Sequence, residues 1–350
     1  MAVISHRRIW TMFVARNHEF FRDRAAFGWN FIFPFLIIIG FGIIFSEDSF
    51  HRYTVGVFPS TGKTIPGEHS IPPRFAEDPA IALVPVDTMA TGLDKLRRHK
   101  IDLLLDGTSS PPRYWLNDAS PAGAIAEKIL VAATFDFSKV PLARERIDGA
   151  HIRYIDWFFP GIMAMNMMFS ALWGVGYIVV RYRKNGALKR LKATPLSAFE
   201  YLSAQMISRI FLIMFTFVAV WVGTDLIFDF HMQGSIILFF GVFLLGGLSL
   251  CSIGLLLAAR GISEEFTAGA LNFITWPMMF LSEVWFSLER APHWIQQLAW
   301  LFPLTHLLKA ARKVMNEGAN LVQIAPECLL MTATTLIFLT LAAWLFSWTD

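Results

Sequence analysis

Six apolar stretches constrain this chain more than any motif: Gly28 to Phe45, Ile155 to Val180, Met206 to Phe228, Ser235 to Ala259, Ala268 to Leu288 and Ala325 to Trp348. A helix needs about 20 apolar residues to cross the ~30 Å hydrocarbon core of a bilayer, and each stretch comes close to or exceeds that length. Of the 350 residues 55% are hydrophobic and 16% charged, against about a quarter charged in ordinary soluble domains. The pattern predicts an α-helical polytopic membrane protein with six transmembrane helices. The first stretch is too long for a signal-peptide core and no Ala-x-Ala site follows, so it is expected to stay as an anchor.

Lysine and arginine in the short flanks set the expected orientation. The N-terminal arm carries Arg7, Arg8, Arg16, Arg22 and Arg24, and the loop after the second span reads RYRKNGALKRLKATP, with six basic residues and no acid. The turn between the third and fourth spans, TDLIFDFHMQG, has two aspartates and no Lys or Arg. Both termini and the basic loop are therefore expected in the cytoplasm, and residues 46–153 outside it.

That segment holds a deceptive motif. YTVGVFPSTGKT, Tyr53 to Thr64, has the outline of a phosphate-binding loop, but five residues separate Gly56 from Gly62-Lys63-Thr64 where such a loop has four. Pro59 has no N–H to offer, and Pro66, Pro72 and Pro73 are expected to forbid the helix that should follow. The expected location, away from ATP, points the same way. Residues 46–153 read instead as an inserted α+β domain: strands at Tyr53 to Phe58, Ile81 to Val86, Ile101 to Leu105 and Arg113 to Leu116, with two helices. Asp87 or Thr88 would cap the first helix, with Met89, Leu93 and Leu96 on one face. The second runs from Ala122 to about Phe135. Asp102 and Asp106 read as strand-end and turn residues rather than catalytic ones.

Other chemistry is thinly represented. Cys251 and Cys328 both lie in apolar stretches and the nine histidines show no ligand spacing, so no metal is implied. The net charge of +3 does not argue for nucleic acid. The expected spans hold little that is polar beyond Asn166, Arg209, Asn272 and Glu283.

Three features carry functional expectations. Residues 1–27 alternate apolar residues (Ile9, Met12, Phe13, Phe20, Phe21) with Arg7, Arg8, Arg16 and Arg22, the pattern of an interfacial helix with arginines toward anionic headgroups, or simply of a basic cluster before the first span. In the basic loop, Ala187 to Ala193 can form a short helix with Leu188 and Leu191 on one side and Lys189, Arg190 and Lys192 around it. Thr194-Pro195 ends it. This is either a protrusion for a soluble partner or only a positive-inside loop. In the stretch FPGIMAMNMMF, Asn166, Met167 and Phe169 would suit an apolar or amphipathic cargo, or else form ordinary packing surface. Glu283, near the expected outer end of the fifth span, is either a substrate contact or a carboxylate that reaches water or pairs with Arg290.

RYRKNGALKRLKATPLS followed by YLSAQMI resembles the signature of the ABC-2 type export permeases: a charged stretch, Gly-Ala-Leu, a further leucine, Thr-Pro-Leu-Ser, then a span. WPMMFLSEVWFSLERAPHWIQQLAWLFPLTHLLKAAR is similar to that family's fifth span and return helices, with Pro277, Leu281-Ser282, Pro292, Trp294 and Pro303-Leu304-Thr305 as landmarks. The insertion after the first span resembles the subgroup with a large extracytoplasmic domain, and the basic loop resembles drug-resistance-type members. The chain departs from the family's pattern at Lys184-Asn185, where a glutamate is usual, and at Glu283 and Ser287, where Leu-Ser-Gly and a Phe-Pro pair are usual.

The resemblance implies an interfacial elbow helix over 1–27, a first span over 28–45, an extracytoplasmic domain over 46–153 and a five-span core over 154–348. Within that core it implies a coupling helix over 181–198 and return helices over 289–320. It implies a transport subunit of a bacterial inner membrane, without its own ATPase site. A separate cytoplasmic ABC ATPase would use ATP and Mg and grip Gly186, Ala187, Leu188, Arg190, Leu191, Thr194 and Pro195. A second permease copy, or a paired permease, would complete the pathway, with membrane lipids and a periplasmic adaptor as further partners. The expected function is outward movement of a drug, lipid or similar molecule; an ion-coupled transporter or an enzyme acting on lipid-linked substrates are the alternatives.

Overall fold

The structure, a computed structural model, describes residues 5–44, 53–59, 71–98, 100–109, 113–117, 120–134, 153–259, 263–289 and 291–347. The chain divides into two compact units, Met1–Ser46 with His151–Asp350, and Glu47–Ala150. Gly62-Lys63-Thr64, Pro66 and Arg290 lie outside the described residues.

The larger unit is helical. Helix α1 (His6–Arg22) is followed by α2 (Arg24–Ile44), the two separated at Asp23. Helix α6 (Tyr154–Ala171) continues through a π-helical stretch, Leu172–Tyr177, into α7 (Ile178–Lys184). The short α8 (Ala187–Lys192) precedes the long α9 (Ala198–Phe228). Then come α10 (Ile236–Ala259), α11 (Glu264–Leu281), α12 (His293–Ala299), α13 (Pro303–Glu317) and α14 (Ala325–Leu345).

Five of these rods are long and apolar enough to cross a bilayer: Phe27–Ile44, Tyr154–Lys184, Ala198–Phe228, Ile236–Ala259 and Ala325–Leu345. They cover five of the six expected spans, and the second and third run on beyond the expected ends, to Lys184 and back to Ala198. Helix α11 is not among them. It opens on Glu264 and Glu265 and stops at Leu281 rather than Leu288, because Glu283 turns the backbone to a φ of 61°. Around the bundle large apolar side chains face outward: Leu226 is 83% exposed and Ile237 81%. A soluble domain rarely leaves such surfaces bare, whereas lipid covers them without cost. Inside, Met163, Met167, Phe217, Phe243, Leu250 and Leu307 belong to one continuous core.

The smaller unit contains a four-stranded sheet. Strands β1 (Tyr53–Phe58), β2 (Ile81–Pro85), β3 (Leu103–Asp106) and β4 (Arg113–Leu116) run in the order β2-β1-β3-β4. β1 is parallel to β2 and β3, and β4 closes antiparallel on β3. Strand alternation gives the sheet two buried faces. Val55, Val57, Leu103 and Leu105 pack with Phe75 of α3 (Pro73–Ala76) and with Ala126 and Leu130 of α5 (Pro121–Thr134). Leu104 and Val86 pack with Leu96 of α4 (Met89–Arg97) on the other face.

Thr88 caps α4, as expected. Two expectations need correcting. Met89 is 40% exposed, and Gly92 lies on the buried face instead, where a Cβ would come within 2.6 Å of the Leu104 side chain. Pro73 does not forbid a helix, because at the first helical position its missing N–H costs nothing and its φ is already helical. Asp102 accepts the Thr54 N–H at 2.8 Å and Asp106 accepts from Thr108, at 2.9 Å from N and 2.7 Å from Oγ1, so both carboxylates serve the local backbone.

Candidate functional site

The basic loop gathers polar contacts from much of the helical unit. After α7 the chain reverses at Gly186, whose φ of 73° is open to glycine without strain. Helix α8 then spans only Ala187–Lys192, so the expected coupling region 181–198 is not one helix but the end of α7, a turn, α8 and an extended approach to α9. Leu188 is fully buried in the protein's own core and Leu191 packs partly against it. Lys189, Arg190, Lys192, Ala193, Thr194 and Pro195 are exposed, and Gly186 and Ala187 half-buried. The expectation that a partner could grip Leu188 is thus corrected: what α8 offers outward is its basic face.

The loop's other side chains fasten it inward. Arg183, buried, donates through Nη2 to the carbonyls of Ala258 (3.0 Å), Ala259 (3.2 Å) and Ser347 (2.9 Å). The first two are terminal carbonyls that α10 leaves unbonded, and Ser347 follows the end of α14. Lys184 lies 3.9 Å from Glu264 and 3.6 Å from Glu265, and the Tyr177 hydroxyl donates to Glu264 at 2.9 Å. The acids stand at the N-terminus of α11, where the helix dipole favours them, and hydrogen bonds to main chain with Lys184 beside it hold the Glu265 carboxyl below its usual range. Lys184 therefore has an intramolecular role.

Glu200 joins α1 to α9. With Ser197 it forms a reciprocal capping box at the start of α9. The same fully buried carboxylate accepts the Ser5 N–H at 2.8 Å and meets Arg8 at 3.2 Å, while Arg8 also donates to the Pro195 carbonyl. Arg16 donates to Gln205 (2.8 Å) and Glu19 (2.7 Å) and also to the Tyr182 hydroxyl, lying over that ring. Two of the four arginines expected to face headgroups thus turn inward, because α1 runs along α9, with Phe13 against Phe211 and Phe21 against Phe215. Arg7 and Arg22 remain exposed. Glu200 is absent from the expectations above, although Ser197-x-x-Glu200 before an apolar run is a legible capping signal. Arg183 gave none.

At the other end of the bundle, Glu283 meets Arg312; its expected partner, Arg290, lies outside the described residues. Its Oε2 is 3.8 Å from Arg312 Nη1, and its Oε1 accepts the Leu288 N–H at 3.2 Å. Arg312 also donates to the carbonyls of Glu283 (2.8 Å) and Trp157 (3.2 Å), with its guanidinium 3.8 Å from the Trp157 ring centre. Burial lowers its pKa to about 10, so it stays charged at neutral pH. These groups, with Lys309, Lys313 and Glu327, line a cavity of about 540 Å³. His306, buried, lies 2.9 Å through Nε2 from the Trp300 carbonyl. Asn166 reaches, among the described residues, the Asn30 carbonyl at 3.5 Å, Met167 is buried in the core and Phe169 is half-buried. For Met167 the packing reading replaces the cargo-facing one.

Apolar rods with bare apolar outsides and polar clusters at their ends define a polytopic helical membrane protein. The family described as ABC-2 family transporter protein matches residues 25–344, and the chain belongs to that family. It is 24% identical over 166 residues to the probable multidrug ABC transporter permease YbhR of Escherichia coli K12, covering 47% of this chain and 45% of that one. To the inner membrane transport permease YhhJ of the same organism it is 25% identical over 193 residues, 53% of this chain and 50% of the other, and YhhJ of Shigella flexneri matches equally. The chain spans about half the length of the curated relatives it matches.

Proposed function

We propose that this chain is the membrane-spanning permease subunit of an ATP-driven exporter, with both termini and the basic loop in the cytoplasm of a bacterial inner membrane. On this reading α11 completes six crossings and residues 46–153 lie outside. The observation that carries the proposal is α8: a six-residue helix whose basic face is exposed while Leu188, Arg183, Lys184 and the Arg8–Pro195 contact fasten its surroundings to α10, α11, α14 and α1. A load applied to Lys189, Arg190 and Lys192 passes into several helices at once. That is what a soluble ATPase needs in order to shift packed helices between inward-open and outward-open arrangements.

Two such chains, or this one with a paired permease, form the pathway, and the ATPase subunits supply ATP and Mg chemistry. The relatives' names, a probable multidrug permease among them, support an apolar or amphipathic cargo. The α+β unit is the candidate seat for a periplasmic adaptor.

The test is affinity purification of the tagged chain in mild detergent, with an ATPase assay on the eluate. Co-purification of an ATPase whose stimulation is lost on charge reversal at Lys189, Arg190 and Lys192 supports the reading. An intact, ATP-inert chain that recovers no ATPase would end it.

A further inference from the structure

Beyond the transport reading, the structure carries an arginine whose charge no carboxylate among the described residues answers. Arg209 stands half-buried on α9, and its Nε donates to the Ser170 carbonyl. That is its one hydrogen bond among the described residues, and no ion pair there includes it. An ionisable group at membrane depth is costly and marks function by default.

The protein builds a seat for it. The π-helical stretch Leu172–Tyr177 widens the second rod at this level, a local distortion that recurs at functional sites. Within it Gly174 lies directly under the guanidinium: a Cβ there would come within 1.8 Å of Arg209 Cζ and 1.9 Å of Nη2.

Arg209 lines a cleft of about 120 Å³ together with Arg16, Arg181, Tyr182, Gln205 and Ser208. The volume would hold about four waters at ~30 Å³ each, enough for a compact anion. The acids on the cleft are already engaged. Glu19 binds Arg16 and Tyr182, and Asp23 accepts the Ala25 N–H at 3.1 Å at the start of α2. Arg181, exposed at the mouth, has no hydrogen bond or ion pair among the described residues. Three guanidiniums against two committed carboxylates leave the cleft positive.

Depth identifies the anion. Helix α9 has 31 residues. At 1.5 Å per residue it is about 46 Å long, some 16 Å more than the ~30 Å hydrocarbon core, a surplus of about eleven residues. Arg209 lies eleven residues after Ala198, beyond Glu200, Gln205 and Ser208; from Ile210 to Trp221 only Thr216 is polar. If the surplus sits at this polar end, Arg209 falls where headgroup phosphates meet the apolar core.

We propose that Arg209, Arg181 and Arg16 form a phosphate-binding site for a phospholipid headgroup, seated by Gly174 and the π turn. Basic pockets between helices at that level take anionic headgroups. The same chemistry would accept soluble phosphate, which the experiment separates.

The purified chain is stripped of lipid, titrated with phosphatidylglycerol and, separately, with an uncharged glycolipid, and bound molecules are counted by native mass spectrometry. Phosphatidylglycerol is expected to bind at a saturable site that inorganic phosphate at millimolar concentration does not clear. Loss of one arginine should weaken it about fivefold, as for a charge near an anionic lipid surface. Arg181→Gln tests this at the exposed mouth, where folding is not at stake, and Gly174→Ala should match Arg209→Gln by unseating the guanidinium while keeping its charge. Displacement by inorganic phosphate would keep the site and assign it to the soluble anion. Equal binding of the uncharged glycolipid, or unchanged phosphatidylglycerol binding in Arg181→Gln and Gly174→Ala proteins of wild-type thermal stability, would overturn the proposal.

Discussion

The two ends of the helix bundle use the same device to opposite effect. At the basic-loop end Arg183 gathers the terminal carbonyls of α10 and the carbonyl of Ser347, and at the return-helix end Arg312 binds the carbonyls of Trp157 and Glu283. Both are buried cations that tie main chain distant in sequence. They differ in what surrounds them. At the Arg183 end Lys184 faces Glu264 and Glu265, but Lys189, Arg190 and Lys192 of α8 are exposed and without ion pairs among the described residues. Around Arg312 the charges turn toward one another: Glu283 faces Arg312, Lys313 bonds Glu327 at 2.7 Å, and Lys309 lies over Trp300. A surface that leaves its cations to solvent is ready for an acidic partner, while one that pairs them closes a fold. Oligomer contacts and transport can exploit either, but only the first invites docking by charge.

The comparison can be broken by mutation, and the largest effect is expected at Leu188. Leu188→Ala should cost about 3 kcal/mol, the usual range for a buried leucine, and show as early aggregation on heating in detergent. A neutral outcome would mean that α8 is held by the flanking contacts of Arg183 and Lys184 instead. Arg312→Met comes next, at about 2 kcal/mol, because it frees two carbonyls and leaves Glu283 without its cation. A wild-type melting profile would show that the return end is closed by apolar packing instead.

Charge reversal at Lys189, Arg190 and Lys192 should leave stability within about 0.5 kcal/mol, as for exposed positions, while stimulation of the partner ATPase falls at least tenfold. Loss of folding there would erase the contrast between the ends. Glu283→Gln should cost under about 1 kcal/mol and leave export of several cargos unchanged, since the amide oxygen can still accept the Leu288 N–H. Cargo-selective loss would restore Glu283 as a substrate contact.

The smallest effect concerns pH. Burial lowers the pKa of His306, and Lys309 also disfavours its charged form. The unfolded chain then binds the proton more readily, so stability should fall as pH drops through the unfolded value near 6.5 toward the lower folded one. His306→Gln should flatten that slope in thermal melts taken between pH 7 and pH 5.

Several elements were legible in the sequence because each follows from a local pattern. The apolar runs gave the rods of α2, α9, α10 and α14; Thr88 gave the cap of α4; Thr194-Pro195 ended the short basic helix. The misses share a physical cause. Met89 and Gly92 both fit the helical repeat, but only the approach of Leu104 says which is covered. Arg209 is legible as a polar residue in a span, yet nothing local announces that Gly174, 35 residues earlier, makes room for it.

The sequence by itself determined that this chain lives in a bilayer, that an α+β segment interrupts its helices, and that a basic protrusion follows the second span. Those properties are sums over neighbouring residues: transfer of apolar side chains, strand alternation, helix capping. Tertiary structure alone decided which cations face inward. Arg8 meets Glu200 and Arg183 meets Ser347 across 192 and 164 residues of chain. Such pairs form where packing carries both partners out of water, and leaving either group unmatched there costs more than any local preference can offset.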